Sequence, residues 1–351
     1  MANKIFFTLT GIGLPLSIIG AFMNWSPIFM FTIYSLTIIA LAGIIGKATE
    51  SLAIVFGQRI GGLLNATFGN AVELIISIFA LKSGLIGIVL ASLTGSILGN
   101  LLLVGGLSFF VGGLKYKRQT FNIHNAQHNA GLLIFSIILA FIIPKIFTVS
   151  MSDGHTMALS IGISITLIIL YLAALLFKLV THRGIYQTER KDNHSEETPE
   201  WGKGKAMIFL AFSTGAVAFI SEHLVDTFSV VAETFGWTEL FIGVIIVALV
   251  GNAAEHASAV WMAYKNKMDI AVEIAVGSTL QIAMFVAPLL VLISQLFPTS
   301  MPLLFTWPEL VSMVTAVLLM NILSTDGESN WFDGLALLGG YAIMVVGFYL
   351  I

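Results

Sequence analysis

The sequence contains no cysteine, and only 10% of its 351 residues are charged. The absence of cysteine excludes disulfides, thiolate metal sites and cysteine nucleophiles. Soluble domains carry roughly 25% charged residues, so this scarcity of charge excludes an ordinary soluble protein. The net charge of -3 points to no particular partner, and we expect no binding of nucleic acid.

Apolar residues make up 57% of the chain. They form runs of about 20 residues along nearly its whole length, which is typical of helices that cross a lipid bilayer. Because these runs are unbroken, they lack the alternating pattern of a membrane β-barrel. The sequence therefore predicts an all-α polytopic membrane protein.

We predict eleven transmembrane helices, the first of which is a retained span rather than a cleaved signal peptide. The only extended polar segment, at about 181–205, is too polar to insert and separates the spans into two groups. The predicted spans lie near residues 5–23, 28–56, 62–81, 85–112, 129–149, 156–180, 206–232, 238–264, 269–297, 306–325 and 331–351.

Lysine and arginine fall almost entirely on one side of these spans. Only Lys82 and Lys145 lie in loops on the other side, and Lys47 lies within a span. By the positive-inside rule, this asymmetry predicts a plasma-membrane protein with a cytoplasmic N-terminus and central loop and an external C-terminus. The basic residues on the predicted cytoplasmic side are Lys4, Arg59, Lys115, Lys117, Arg118, Lys178, Arg183, Arg190, Lys191, Lys203, Lys205, Lys265 and Lys267.

Two segments of the chain resemble each other, and each begins with Gly-Asn-Ala. Residues 69–104, beginning GNAVELIISIFAL, align without gaps with residues 251–286, beginning GNAAEHASAVWMA. Nine of the 36 aligned positions are identical, and each segment has a glutamate 23 residues before the serine of a Gly-Ser pair. Apolar composition alone does not align these features in one register, so we interpret the segments as an internal repeat.

Each copy of the repeat belongs to a group of five predicted spans, with the first span left over. Because five is odd, the two groups must cross the membrane in opposite directions, as inverted repeats do in many secondary transporters. The span before each copy also contains an acid, Glu50 or Glu222. The predicted divisions are an orphan helix at 1–26, a first five-helix repeat at 27–180, a cytoplasmic loop at 181–205 and a second five-helix repeat at 206–351.

Glu73 and Glu255 are the candidate ion-binding residues. A charged carboxylate near the bilayer centre costs at least about 2.5 kcal/mol, so it persists only beside a cavity, a partner or an ion. Each follows a Gly-Asn pair, with Asn70 or Asn252, and the glycine permits a helix break or a close approach of helices. Carboxylate, amide and backbone oxygens meeting on a two-fold axis suit Ca²⁺ better than zinc or copper.

Two carboxylates in one dry site repel each other, so protons and a cation compete for them. Bound Ca²⁺ expels the protons, and this mutual exclusion is the basis of exchange. The alternative is that the buried acids pair with a base inside the membrane. Lys47 could pair with Glu50, and His223 or His256 with a neighbouring acid.

Four polar residues follow the glutamates at helical spacing. Ser96 and Asn100 lie on one helix face in the first copy, as do Ser278 and Gln281 in the second. They are candidates to bind the ion or to orient the glutamates. The alternative is that they serve helix packing through interhelical hydrogen bonds.

His256 is adjacent to Glu255 and lies about 100° round the helix, so both side chains cannot face one ion. It is a candidate for the proton pathway or a packing residue. Asp269 and Glu273 are interpreted as helix-start acids rather than ligands. The acids of the central loop are interpreted as solvated residues, with a cation-sensing role as the alternative.

The two repeat segments resemble the signature repeats of the calcium/cation:proton exchangers, which belong to a wider superfamily that includes the sodium/calcium exchangers. The resemblance extends, through the span count and the acidic central loop, to nearly the whole chain. It implies Ca²⁺ export in exchange for H⁺ by alternating access, with Ca²⁺, H⁺ and the lipid bilayer as partners and no cofactor. It leaves open whether the protein forms a homo-oligomer.

The resemblance also implies roles for particular residues. It gives Glu73 and Glu255 as the central acids, and it places Glu50 and Glu222 at the cavity mouths or in gating. The remaining ion-site positions that it implies are Asn70, Asn252, Ser96, Asn100, Ser278 and Gln281. The sequence departs from the family pattern at Val72, Gly99 and Glu273, and none of these departures affects the central glutamates.

Three other functions are weighed against this interpretation. A sodium/calcium exchanger would need more acidic and hydroxyl ligands in the repeats than this chain has. A cation channel would form its filter on an oligomer axis, whereas both halves here lie in one chain. An intramembrane hydrolase would need a nucleophile or a set such as His-Glu-x-x-His, and the sequence has none.

Overall fold

The computed structural model describes residues 2–182 and 199–351, which are almost entirely helical. Within these ranges, nine helices are long and apolar enough to cross a membrane, and a further apolar helix is shorter. The prediction of an all-α polytopic membrane protein is therefore confirmed. The helices are α1 (Ala2–Phe22), α2 (Pro27–Phe56), α3 (Gln58–Phe68), α4 (Ala71–Lys82), α5 (Ile86–Lys115), α6 (Ala126–Thr148, preceded by a first turn from Ile123), α7 (Asp153–Thr181), α8 (Lys203–Phe235), α9 (Glu239–Tyr264), α10 (Met268–Ser294), α11 (Trp307–Leu323) and α12 (Trp331–Leu350).

Local sequence sets several helix ends. Gly57 separates α2 from α3 with a φ of 79°, and Gly236 ends α8 in the left-handed conformation with a φ of 67°, which glycine adopts without steric cost. Thr306 and Glu309 form a capping box that starts α11, in which each side chain satisfies a free backbone N–H.

The predicted third span, 62–81, is interrupted. It consists of most of α3 and of α4, and the helix is interrupted at Gly69 and Asn70 between them. The matching Gly251 and Asn252 of the second copy lie inside the unbroken helix α9. The Gly-Asn pair therefore breaks the helix in one copy and allows close helix packing in the other.

Among the described residues, five helical segments contain π-helical turns, which hold one more residue per turn than an α-helix and occur often at functional sites. One of these turns, Ile242–Val247, ends four residues before Gly251 in α9, and another begins three residues after Ser96 in α5. The π-helical segments are Gly99–Val104, Ile138–Ile142, Phe177–Thr181, Ile242–Val247 and Ile282–Val286.

Burial separates central from peripheral helices. Helices α5, α10, α2 and α9 are the most buried, whereas α1, α7 and α12 expose most of their apolar surface. The most extensive helix–helix contacts in the described ranges join α5 to α9 and α2 to α8. A short antiparallel pair, β1 (Gln119–Thr120) with β2 (Glu328–Ser329), ties the end of α5 to the α11–α12 connection, and Arg118 forms an ion pair with Glu328 beside it.

The predicted cytoplasmic loop, 181–205, lies largely at residues 183–198, outside the described ranges. Its final part is anchored. Trp201 is buried, with ring contacts to Phe7 of α1 and Phe209 of α8. Glu200 forms an ion pair with Lys47 of α2. In this structure Lys47 is therefore paired with Glu200 rather than with Glu50, the partner that the alternative interpretation gave it.

Helix α5 crosses the π-helical turn of α9 at close range. A methyl group added at Gly95 would lie 1.9 Å from the carbonyl oxygen of Val244. Gly277 is the matching glycine of the second copy, and a methyl group there would meet no atom within 4 Å. The two glycines of the repeat therefore have different packing environments.

We expect Gly95→Ala to lower the free energy of unfolding by about 1–3 kcal/mol, because the new methyl group must push the backbone of α9 away. Gly277→Ala is the matched control and should leave stability unchanged or raise it slightly, since alanine favours a helix. Thermal unfolding of the purified protein in detergent measures both. Equal effects of the two substitutions would contradict the close crossing.

Candidate ion-binding site

Glu73 lies in the first turn of α4 and is 8% exposed. Its Oε1 accepts a hydrogen bond from Ser96 Oγ of α5 and another, of 2.5 Å, from Asn252 Nδ2 of α9. Its Oε2 is buried and has no hydrogen-bond partner within the described ranges. One carboxylate oxygen is thus held by two donors while the other remains available to a proton or a cation.

Glu255 lies on α9 and is more accessible than Glu73, being half-buried. Its Oε2 accepts a 2.7 Å hydrogen bond from Ser278 Oγ of α10. The same hydroxyl lies 3.2 Å from Asn70 Oδ1, and Asn70 Nδ2 donates a 2.8 Å hydrogen bond to Gln281 Oε1. Three of the predicted ion-site residues therefore surround Glu255 in one connected network.

The two networks are reciprocal. Each glutamate accepts a hydrogen bond from the serine 23 residues later in its own copy, and each serine contacts the asparagine of the other copy. The break between α3 and α4 brings Asn70 to this position, whereas Asn252 reaches it from an intact helix. The structure thereby brings both copies of the repeat together at one polar centre.

The glycine of each Gly-Asn pair lies against the glutamate of the other copy. A methyl group at Gly251 would lie 2.6 Å from Cγ of Glu73, and one at Gly69 would lie 3.3 Å from Oε1 of Glu255. Glycine is needed at Gly251 because any Cβ would occupy the space of the Glu73 side chain.

Asn100 is separated from the glutamates. Its Oδ1 lies 3.1 Å from Nε2 of His256, and both side chains are buried. His256 also packs beside Gly99, where a methyl group would lie 3.6 Å from the imidazole Cε1. The position that matches Gly99 in the second copy is Gln281, which contacts Asn70 instead. The polar shells of the two glutamates are therefore not equivalent.

The acids of the preceding spans lie away from this centre. Glu50 is exposed. Glu222 of α8 is half-exposed and accepts a 2.8 Å hydrogen bond from Nζ of Lys82, which lies in the last turn of α4. His223, the neighbour of Glu222, lies 2.9 Å through its Nδ1 from the carbonyl oxygen of Phe219. Within the described part of the chain, the hydrogen bonds and ion pairs of these residues do not reach Glu73 or Glu255.

Asp269 and Glu273, interpreted as helix-start acids, both lie near the start of α10. Asp269 accepts a 2.6 Å hydrogen bond from the backbone N–H of Asn122, and Glu273 forms a 2.8 Å ion pair with Lys178. Both contacts join α10 to the first half of the chain. The two acids therefore stabilise the packing of α10 against the first half of the chain and lie outside the central site.

Glu309 is a buried acid that sequence reasoning missed. It is 2% exposed, its Oε2 accepts 2.7 Å hydrogen bonds from the backbone N–H and side chain of Thr306, and its Oε1 lies 3.3 Å from Oγ1 of Thr94. The capping-box spacing of Thr306 and Glu309 was the available signal, but it indicates a helix start rather than a buried link to α5.

The site is rich in oxygen and poor in nitrogen ligands. Carboxylate, amide and hydroxyl oxygens converge there, and within residues 2–182 and 199–351 no three His, Cys, Asp or Glu side chains cluster closely enough to hold a metal ion. Such donors suit a hard cation such as Ca²⁺ rather than zinc. The same two carboxylates can instead take up protons.

Comparison with known proteins gives a consistent result. A family model described as "Sodium/calcium exchanger protein" matches residues 26–180 and 205–350. The chain is 68% identical over 350 residues to the Ca(2+)/H(+) antiporter ChaA of Bacillus subtilis (strain 168), covering 99% of this chain and 100% of that relative. It is 42% identical to the Ca(2+)/H(+) antiporter of Aphanothece halophytica, covering 99% and 96%. The solved structure of native YfkE matches with a TM-score of 0.88 at 64% identity, covering 99% of this chain and 100% of that chain.

The hydrogen bond between Asn252 and Glu73 joins the two copies of the repeat, and a double-mutant cycle can measure it. We expect Asn252→Ala and Glu73→Gln to show a coupling free energy of about 1–2 kcal/mol, because the first removes the donor of a buried bond and the second removes the charge that strengthens it. Thermal unfolding in detergent with divalent cations chelated is the measurement.

The control cycle combines Asn252→Ala with Glu309→Gln, which alters a buried glutamate that has other partners. These two effects should add to within about 0.5 kcal/mol. Coupling of the same size in both cycles would show that the link between Asn252 and Glu73 is not specific.

Proposed function

Because this chain belongs to the sodium/calcium exchanger protein family, we propose that it is a secondary transporter that exports Ca²⁺ in exchange for H⁺. Its relatives ChaA and the Aphanothece halophytica protein are named Ca(2+)/H(+) antiporters. Carrying this activity to the present chain also requires a site at which Ca²⁺ and protons exclude each other.

The observation that supports this function is the pairing of Glu73 and Glu255 at one polar centre inside a membrane protein. Each carboxylate is held by a serine of its own copy, and the asparagines of the opposite copies complete the centre. We propose Glu73, Glu255, Asn70, Asn252, Ser278 and Gln281 as the residues that surround Ca²⁺, with Ser96 orienting Glu73. Asn100 acts through His256 in this proposal, because its side-chain oxygen contacts that imidazole.

The exchange cycle follows from charge. Cytosolic Ca²⁺ displaces protons from the two glutamates, since a divalent cation offsets both negative charges at once. After the helices rearrange, external protons displace Ca²⁺. The neutral carboxyl groups then return through the membrane without the cost of moving bare charge through a low-dielectric site. Because the site crosses the membrane only when it holds Ca²⁺ or protons, the movement of one ion is coupled to the movement of the other.

The stoichiometry depends on which acids take part. If only Glu73 and Glu255 titrate during transport, two protons exchange for one Ca²⁺ and the cycle is electroneutral. Participation of a third acid would make the cycle sensitive to voltage, by about 2.3 kcal/mol per charge per 100 mV. The ion pair of Glu222 with Lys82 and the exposure of Glu50 favour the electroneutral cycle.

We further propose an eleven-span topology with two inverted five-helix halves. Counting α3 and α4 as one interrupted span, and α11 as a shorter span, brings the nine long helices to eleven. The divisions at 1–26, 27–180, 181–205 and 206–351 are supported by the two blocks of the family match. The distribution of lysine and arginine supports a plasma-membrane orientation with a cytoplasmic N-terminus and an external C-terminus.

The ion pair between Lys82 and Glu222 lies at the predicted external end of α4. It joins a helix of the first half to α8 of the second half. Alternating access requires contacts of this kind to form in one state and break in the other. We propose that this pair closes the external side and that Glu50 lies on the cytoplasmic path, while His256 contributes to the proton pathway.

The first test is Ca²⁺ uptake into proteoliposomes under an imposed pH gradient, with and without Na⁺. We expect uptake by the native chain to be independent of Na⁺ and to stop when the gradient is collapsed. Glu73→Gln and Glu255→Gln should each reduce it by at least about 100-fold, because each removes one ion-binding charge and one site for a proton.

Glu233→Gln is the control, since Glu233 is an exposed acid of α8, and it should transport as the native chain does. A requirement of uptake for Na⁺ would show that sodium, rather than the proton, is the coupling ion. Uptake that survives both central substitutions would place the ion site elsewhere.

A second test uses the absence of cysteine, which leaves no background thiol. We expect the double variant Lys82→Cys with Glu222→Cys to lose Ca²⁺ uptake when a short thiol cross-linker bridges the two positions. Uptake should return when a reductant cleaves the linker, because the external side can open again. Lys82→Cys alone, treated in the same way, is the control. Full transport by the cross-linked protein would show that α4 and α8 do not separate at this end.

A further inference from the structure

An apolar groove of about 390 Å³ lies between the last parts of α5 and α9, outside the central site. Its walls are Leu107 and Val111 of α5 with His256, Val260, Trp261 and Tyr264 of α9. This volume is within the roughly 300–1,000 Å³ range of ligand pockets. The groove therefore has the size of a binding site rather than of a packing defect.

The surroundings of the groove are apolar. Trp261 and Tyr264 expose 53% and 42% of their surface, and Leu114 beyond them exposes 66%, although all three belong to membrane-spanning helices. Side chains of this kind on the outside of such helices face lipid. An occupant of the groove must therefore present a flexible apolar chain rather than a polar molecule.

The rim of the groove carries positive charge. Nζ of Lys115 lies 3.7 Å from the ring centre of Tyr264 and donates a 3.0 Å hydrogen bond to that residue's carbonyl oxygen. Nζ of Lys265 lies 5.0 Å from the ring centre of Trp261, which stacks on Tyr264. Aromatic rings beside basic residues mark the level of the lipid headgroups, where lysine attracts anionic lipid.

From these two features we propose that the groove binds one acyl chain of an anionic phospholipid, whose headgroup contacts Lys115 and Lys265. The far end of the bound chain lies against His256, the neighbour of Glu255 and the partner of Asn100. The lipid therefore contacts both α5 and α9 next to the candidate ion site, and it restrains the movement of one helix against the other.

A second copy of the chain is the competing occupant, and the charge of the rim disfavours it. A two-fold interface through the groove would bring Lys115 and Lys265 of one copy towards the same residues of the other, because such interfaces are self-complementary. Like charges that face each other weaken an interface. An anionic headgroup, in contrast, offsets both lysines.

The test is native mass spectrometry of the purified full chain, mixed in detergent with phosphatidylglycerol or with phosphatidylcholine of identical acyl chains. We expect the native chain to retain one phosphatidylglycerol in preference to phosphatidylcholine. The double variant Lys115→Gln with Lys265→Gln should lower that preference by about ten-fold or more. Ala257→Phe, which adds a ring to an exposed position in the groove wall, should abolish retention of the lipid.

Two further variants keep the result interpretable. Lys203→Gln with Lys205→Gln removes the same charge from the start of α8, on the same predicted side of the membrane, and should leave the preference unchanged. Lys115→Arg with Lys265→Arg keeps the charge and should retain the lipid, which separates loss of charge from misfolding.

Equal retention of phosphatidylglycerol by the native chain, the Lys→Gln double variant and Ala257→Phe would overturn the proposal. The appearance of an oligomer without bound lipid, which Ala257→Phe converts to monomer, would overturn it as well and assign the groove to a second copy. The measurement does not involve transport, so its failure would leave the proposed Ca²⁺/H⁺ exchange untouched.

Discussion

The structure depends on the need to provide hydrogen-bond donors for two carboxylates inside a membrane. An unpartnered charge there is costly, and the chain meets the cost by making each half supply part of the environment of the other half's glutamate. Glu73 accepts a hydrogen bond from Asn252, and the serine that donates a hydrogen bond to Glu255 also contacts Asn70. Neither half alone could bury its glutamate in this way, so the polar centre also joins the two halves of the fold.

This constraint explains the backbone around the centre. Asn70 reaches Ser278 and Gln281 because α3 ends and α4 begins on either side of it. Asn252 reaches Glu73 from an unbroken helix, because Gly251 carries no side chain and α9 can approach closely. Each copy of the motif thus places its asparagine at the polar centre, the first through an interrupted helix and the second through close packing of an intact helix.

Much of the centre could be predicted from the repeat. A glutamate behind Gly-Asn, and a serine 23 residues later, are unusual in apolar helices, so Glu73, Glu255, Ser96 and Ser278 stand out in the sequence. Which of two equivalent glycines breaks a helix could not be predicted, since that depends on neighbours from distant parts of the chain. The pairing of Asn100 with His256 escaped prediction for the same reason, because helical spacing alone places Asn100 with Ser96. Glu309 was missed because its local pattern is that of a helix cap.

The π-helical turn at Ile242–Val247 has a consequence for motion in α9. Such a turn holds one surplus residue, and each residue of an α-helix accounts for about 100° of rotation about its axis. If this turn lay beyond Glu255 instead of before Gly251, the part of α9 that carries Glu255 would be rotated by about 100°, one residue's share of a helical turn, while both ends of the helix stayed in place. The Glu255 carboxylate would then face a different direction through local rotation of one helix segment, without any tilting of the bundle.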